Sequence, residues 1–246
     1  MSAIEIALIA LVAGLIGLSK GGMGAILVVL TTPILSLAFP VKSAISITLP
    51  LLLIADGFAL VAFWRTWDNG YIRQMLPAAV VGVALGSVVL ILLPDLTLRR
   101  IMGLFTLAFV IYRLVQPRIA RLAYSPRPWH GPLVGWLSGF GSALANTGSP
   151  PYTAYMLLRH VEPLPFAGTA TLFFAIINLL KMPGLVLGGI FDWQLFLSTL
   201  WAVPIIPLLV WAGRVLVGRI NPVVFDRLML ALLAMASFIL LFVNPR

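Results

Sequence analysis

The chain has 246 residues, 61% of them hydrophobic and only 9% charged, whereas soluble globular domains carry roughly 25% charged residues. This composition excludes a water-soluble protein or a sizeable separate soluble domain and places the chain in a bilayer, with seven tryptophans suited to the two interfaces. The formal charge of +9 comes from bases set between apolar runs, as in cytoplasmic loops beside anionic lipid, and does not describe a nucleic-acid-binding surface. Without cysteine there are no disulfides, thiolate metal sites or cysteine nucleophiles.

Apolar runs occupy 4–19, 25–39, 44–64, 74–93, 101–115, 131–145, 151–158, 166–187, 195–217 and 228–243. The stretch 1–14 has a signal-peptide-like core, but its flank holds Glu5 where a base would stand, so it is read as a retained first helix. A spanning helix needs about 20 residues, and the runs 4–19 and 151–158 fall short of that. Each lies beside a polar, glycine-rich break: Ser19-Lys20-Gly21-Gly22-Met23-Gly24 and Asn146-Thr147-Gly148-Ser149-Pro150-Pro151. The runs on either side of each break form a re-entrant or broken helical hairpin, and three longer segments follow each hairpin.

The predicted fold is therefore an all-α polytopic membrane protein built from two repeats. The first covers 1–115, with hairpin 4–39 and helices 44–64, 74–93 and 101–115. A linker follows at 116–130. The second repeat covers 131–246, with hairpin 131–158 and helices 166–187, 195–217 and 228–243. An odd number of crossings per half inverts the second repeat relative to the first. Self-comparison agrees: at an offset of 127, Pro77, Gly86, Val88, Arg100 and Met102 fall on Pro204, Gly213, Val215, Arg227 and Met229, and at 122 Gly17 falls on Gly139.

Arg65, Arg73, Arg113, Arg118, Arg121, Arg127, Arg159, Arg214, Arg219 and Arg227 fall on one face of this arrangement, against Lys42, Arg99, Arg100 and Arg246 on the other. The base-rich face is expected to be cytoplasmic. The linker 116–130 is then cytoplasmic, both termini lie outside, and the membrane is the inner, cytoplasmic membrane of a bacterial-type cell. Arg99, Arg100 and Arg227 are read as anchors of helix ends.

Inverted hairpins bring their tips together near the midplane, where broken helices hold substrate. The tip residues favour an anion. Helix N-termini restarting near Ala25 and Pro151 direct N–H groups at the centre. Lys20 adds charge, and Ser19, Asn146, Thr147 and Ser149 offer polar groups in place of water. Gly21, Gly22, Gly24 and Gly148 allow close backbone approach. The alternative role for such glycines is tight helix packing.

Asp56 stands deep in the run 44–64, where a carboxylate must face a partner or water. It is either a proton carrier or a fixed partner of Lys20 or Lys181. Asn178 occupies the corresponding place in the run 166–187, and Lys181, three residues on, shares its helical face. Lys181 either attracts substrate or snorkels to the outer interface. Asp56, Asn178 and Lys181 are thus the ion-coupling candidates. His130 and His160 suggest no catalytic pair, and no metal site, cofactor or nucleotide loop is expected.

The residues Gly14-x-x-Gly17 leading into Lys20-Gly21-Gly22-Met23-Gly24, and Gly135-x-x-x-Gly139 leading into Ser142-x-x-x-Asn146-Thr147-Gly148-Ser149-Pro150-Pro151, resemble the TauE/SafE sulfite exporter family, also called the toluene sulfonate uptake permeases. Asp192-Trp193 and the stretch from Gly213-Arg214 to Phe225-x-Arg227 resemble its C-terminal half. The resemblance implies a carrier of sulfite, sulfonates or related organosulfur anions, driven by an ion gradient, with a proton as the candidate ion and substrate sites at the two glycine-rich loops. The competing readings are a passive anion channel and a membrane-embedded enzyme or assembly factor. Oligomeric state and direction of transport are not legible in the sequence.

Overall fold

The computed structural model describes residues 1–23, 26–119, 127–216 and 222–243. Outside them lie Gly24 of the first tip, Ala25 at the expected restart, residues 120–126 of the linker 116–130, and Arg121, Arg219 and Arg246 of the base count.

Eleven α-helices follow one another among the described residues, with no strand. Helix α1 (Ala3–Leu18) begins at a capping box: the Glu5 N–H donates to Ser2 Oγ and the Ser2 N–H to Glu5 Oε2. That role accounts for the acidic residue in an apolar N-terminal stretch. The helix runs on into a π-helical turn, Ser19–Met23, in which Gly22 has φ of 109°, a conformation that favours glycine. Helix and turn together make 21 residues, long enough and apolar enough to cross a membrane, so the first arm is longer than the run 4–19 suggested. Helix α2 (Ile26–Leu35) has only 10 residues, about 15 Å, half the apolar thickness of a bilayer.

Helices α3 (Val41–Ala62), α4 (Asn69–Leu92) and α5 (Asp95–Ile119) complete this half. Asp68 caps α4 through the Gly70 N–H, while Arg99 donates to the Ser36 carbonyl beyond the end of α2. The second half opens with α6 (His130–Ala145), which stops at Asn146 in the left-handed conformation (φ 55°). Helix α7 (Ser149–Leu158) again has 10 residues, and α8 (Pro163–Leu187) has 25.

One expectation is corrected here. The run 195–217 is not one helix: it forms α9 (Trp193–Ser198), a 3₁₀ turn (Leu200–Ala202) and α10 (Ile205–Leu216). Pro204 and Pro207 lack the N–H groups that would carry a helix from α9 into α10. Helix α11 (Pro222–Phe242) closes the chain. Among the described residues α3, α4 and α8 are also long and apolar enough to span, whereas 200–213 and 227–242 are shorter apolar stretches.

Close packing gives the directions of neighbouring helices. A Cβ at Gly17 would lie 2.7 Å from the Ile206 carbonyl, and Gly21 meets Val210 and Gly213, so α1 runs parallel to α10. Gly139 abuts the Ala79 carbonyl and Gly86 faces Ala143, so α6 runs parallel to α4. Helices α3 and α8 run antiparallel. The Asp68 N–H, just beyond α3, donates to Thr169 Oγ1 early in α8 (2.8 Å), and the Asp192 N–H, just beyond α8, donates to Ser46 Oγ early in α3 (3.0 Å). Helices α5 and α11 are also antiparallel, with Gly103 against Leu241 and Phe109 near Met229 and Leu233.

Candidate functional site between the two helix breaks

The breaks α1/α2 and α6/α7 share the walls of one cavity of about 320 Å³. From the first break it is lined by Ser19, Lys20 and Gly22, and from the second by Ser142, Asn146, Gly148 and Ser149. Asn178 of α8 closes its buried end. The remaining walls are apolar and largely aromatic: Tyr152 and Phe174 pack with ring centroids 5.5 Å apart, and Phe166 stands next to Tyr152. Phe63 at the end of α3 and exposed Pro163 at the start of α8 form the rim. The cavity therefore opens at the end of the bundle that carries Arg65 and Arg159.

Lys20 is the basic residue among those lining the cavity. Its ammonium pairs with Asp56 Oδ1, and the Asn178 amide donates to Asp56 Oδ2 at 2.7 Å. Asp56 is only 2% exposed against 12% for Lys20. The carboxylate is thus screened from the cavity by the two side chains it holds. Of the partners expected for Asp56, the structure selects Lys20.

Lys181 does not snorkel. It is fully buried, and its ammonium donates to Asn146 Oδ1 (2.7 Å), Ser142 Oγ (3.2 Å) and the Ser142 carbonyl (3.3 Å). These acceptors lie inward at the end of α6, so the side chain turns away from the outer interface. Asn146 in turn donates to Thr32 Oγ1 (2.9 Å) and Thr48 Oγ1 (3.1 Å). One buried polar network thereby joins α2, α3, α6 and α8 on the side of the cavity away from its mouth.

Two expected site residues have other work. Thr147 does not line the cavity: its hydroxyl donates to the Gly141 carbonyl at 3.0 Å and closes the end of α6. Gly21 faces α10, where packing demands it. The N-terminus of α7 offers fewer donors than expected, because Pro150 and Pro151 fill positions that would otherwise present N–H groups. Gly148 and Ser149 are left to supply them, and both line the cavity.

Sequence reading missed Tyr152, Thr153, Thr171 and the aromatic wall. Nothing in the periodicity marks one lipid-compatible aromatic as cavity-facing and another as packing. Thr32 and Thr48 were equally silent, since threonines in apolar helices commonly bond their own backbone, as Thr48 does with Ala44.

A family model described as sulfite exporter TauE/SafE matches residues 6–240. No curated protein and no solved structure gives a significant match to the chain.

Proposed function

Because this chain belongs to the sulfite exporter TauE/SafE family, a family of membrane transporters, we propose that it is a secondary transporter of small sulfur-containing oxyanions whose substrate binds in the cavity beside Lys20. One observation carries this reading: two separate helix breaks, far apart in the chain, bring one ammonium, the Ser142 and Ser149 hydroxyls and the N-terminus of α7 to the same cavity. Such donors replace the hydration shell of a small oxyanion. A volume of 320 Å³ sits at the low end of ligand pockets, which run from about 300 Å³ upwards.

In the proposed mechanism the two halves, 1–115 and 131–246, are inverted repeats. Three reciprocal pairs support this. Gly17 on Ile206 matches Gly139 on Ala79, Gly21 on Gly213 matches Ala143 on Gly86, and Asp192 with Ser46 matches Asp68 with Thr169. The antiparallel course of α3 and α8, and of α5 and α11, fits the same relation. Asp56 and Asn178 are 122 positions apart, the offset that sets Gly17 on Gly139, and they bond to each other, which fits a pseudo-twofold relation between the halves.

With the base-rich end cytoplasmic and both termini outside, the cavity faces inward and the Lys181–Asn146–Thr32/Thr48 network closes the outer path. A cavity closed at one end supports a carrier over a passive channel. Asp56 is the proposed proton carrier, since it is the carboxylate that pairs with Lys20 and an anion bound in the cavity competes for that ammonium.

Stabilisation of purified protein against heat by sulfite, sulfate, thiosulfate and small sulfonates tests the substrate class. The expected result is a concentration-dependent rise in melting temperature with at least one sulfur oxyanion and none with chloride. A flat response to all of them refutes the assignment.

A further inference from the structure

Among the described residues Lys181 is the charged side chain with no exposure at all, and it does not reach the cavity. Among the described residues no carboxylate pairs with it, because Asp56 is taken by Lys20 and Asn178. Its three partners are all uncharged oxygens, and three acceptors match the three protons of an ammonium. A buried charge without a counter-charge is costly, and its retention calls for a compensating group that arrives later.

Two of those three bonds end on Ser142, which is 4% exposed and lines the cavity. Ser142 Oγ receives the lysine proton, so its own hydroxyl hydrogen must go elsewhere, and among the described residues no acceptor takes it. The cavity is the direction left open to it. Asn146 is oriented by the same lysine: its oxygen is held by Lys181 and its amide by Thr32 and Thr48.

We infer that Lys181 is a positioning residue for the anion, acting through Ser142, and that its charge gives the site the one net positive charge that suits it to a single negative charge. The charged groups joined to the cavity walls are Lys20, Asp56 and Lys181. With Lys181 as an ammonium they sum to one net positive charge. A monoanion brings the enclosed set to neutrality, whereas a dianion reverses its sign in a medium that penalises any residual charge. The inference rests on the anion site proposed above, and it adds which anions that site accepts and which residue, outside the cavity wall, helps to hold them.

Methanesulfonate and sulfate test it. They have similar tetrahedral heads and carry fixed charges of about −1 and −2 at neutral pH. Dissociation constants are measured by calorimetry on purified full-length protein, in wild type, Lys181→Met and Ser142→Ala. Wild type is expected to bind methanesulfonate at least about tenfold more tightly than sulfate. Lys181→Met should lose at least about tenfold in methanesulfonate affinity and a larger factor for sulfate, a charge-graded loss that a purely structural role does not produce. Ser142→Ala keeps the lysine and should still lose about fivefold or more for methanesulfonate, which decides the matter if Lys181→Met does not fold. Wild-type preference for sulfate, equal losses for both anions, or unchanged affinity in Ser142→Ala overturns the inference while leaving the anion site in place. Failure of wild type to bind either anion overturns the site itself.

Discussion

Substitution of Gly17 by alanine adds one methyl group where α1 crosses α10. The new Cβ would lie 2.7 Å from the Ile206 carbonyl oxygen, 3.0 Å from the Leu209 Cβ and 3.3 Å from the Val210 nitrogen, against ordinary contacts of 3.4 Å and beyond. Two of these neighbours are backbone and cannot rotate aside, so the helices must part by about 0.7 Å, an overpacking that costs about 1–3 kcal/mol. Alanine also raises helix propensity by about 1 kcal/mol over glycine, which would mask part of the loss. Gly57→Ala removes that ambiguity, because a Cβ there meets nothing within 4 Å and the variant gains the propensity without the clash. At about 2–4 °C per kcal/mol for a chain of this size, Gly17→Ala should melt about 2–12 °C below Gly57→Ala in detergent. Lys20 stands one turn beyond Gly17, so anion affinity should fall with it. Equal melting temperatures for the two variants would refute the close α1/α10 crossing. Gly139→Ala, the related position against Ala79, is expected to behave like Gly17→Ala.

Lys20→Ala should weaken anion binding by about tenfold or more, since it removes the ammonium from the cavity wall, and Asn146→Ala should weaken it by releasing Lys181 and the threonine hydroxyls behind Ser142; calorimetry showing wild-type affinity in both would sink the site. Asp56→Asn keeps the shape of the Asn178 contact and frees Lys20, so anion binding should persist while flux into proteoliposomes stops responding to a pH gradient; gradient-independent flux in the wild type rejects the proton role. A cysteine replacing the exposed Glu162, near the cavity mouth, should resist impermeant thiol reagents in intact cells and react after permeabilisation; ready labelling in intact cells reverses the assigned orientation.

Both helix breaks were legible in the sequence because glycines cluster there with polar residues, and polar groups inside apolar stretches need partners or water in lipid. Lys20 and Asn146 were legible for the same reason, as their burial has to be compensated. The destination of Lys181 was not, since four flexible methylene carbons reach outward or inward alike and the choice falls to acceptors on another helix. Proline was an uneven guide. Pro33, Pro50, Pro77 and Pro183 sit inside helices, whereas Pro204 marks a real interruption between Ala202 and Ile205. Thr147 misled because its neighbours line the cavity while its own hydroxyl is spent on the Gly141 carbonyl. A side chain's local capping role competes with any distant one, and only the backbone path beyond Asn146 decides between them.

The pairing of α1 with α10 carries a consequence for biosynthesis. Helix α6 meets α4 as soon as it is made, because its partner already lies in the membrane. Helix α1, by contrast, has its packing surface around Gly14, Gly17 and Gly21 filled by residues 206–213, which are made about 190 residues later. At about 5–20 residues per second, that glycine-lined stripe stays without its native neighbour for roughly 10–40 s. During that interval the nascent N-terminal half presents a small-residue surface to whatever helix drifts past, including one from another nascent copy. A chain truncated before Ile205 would never cover it. Such a fragment should be cleared by membrane quality control even though all of Lys20, Asp56, Asn146 and Lys181 are present in it.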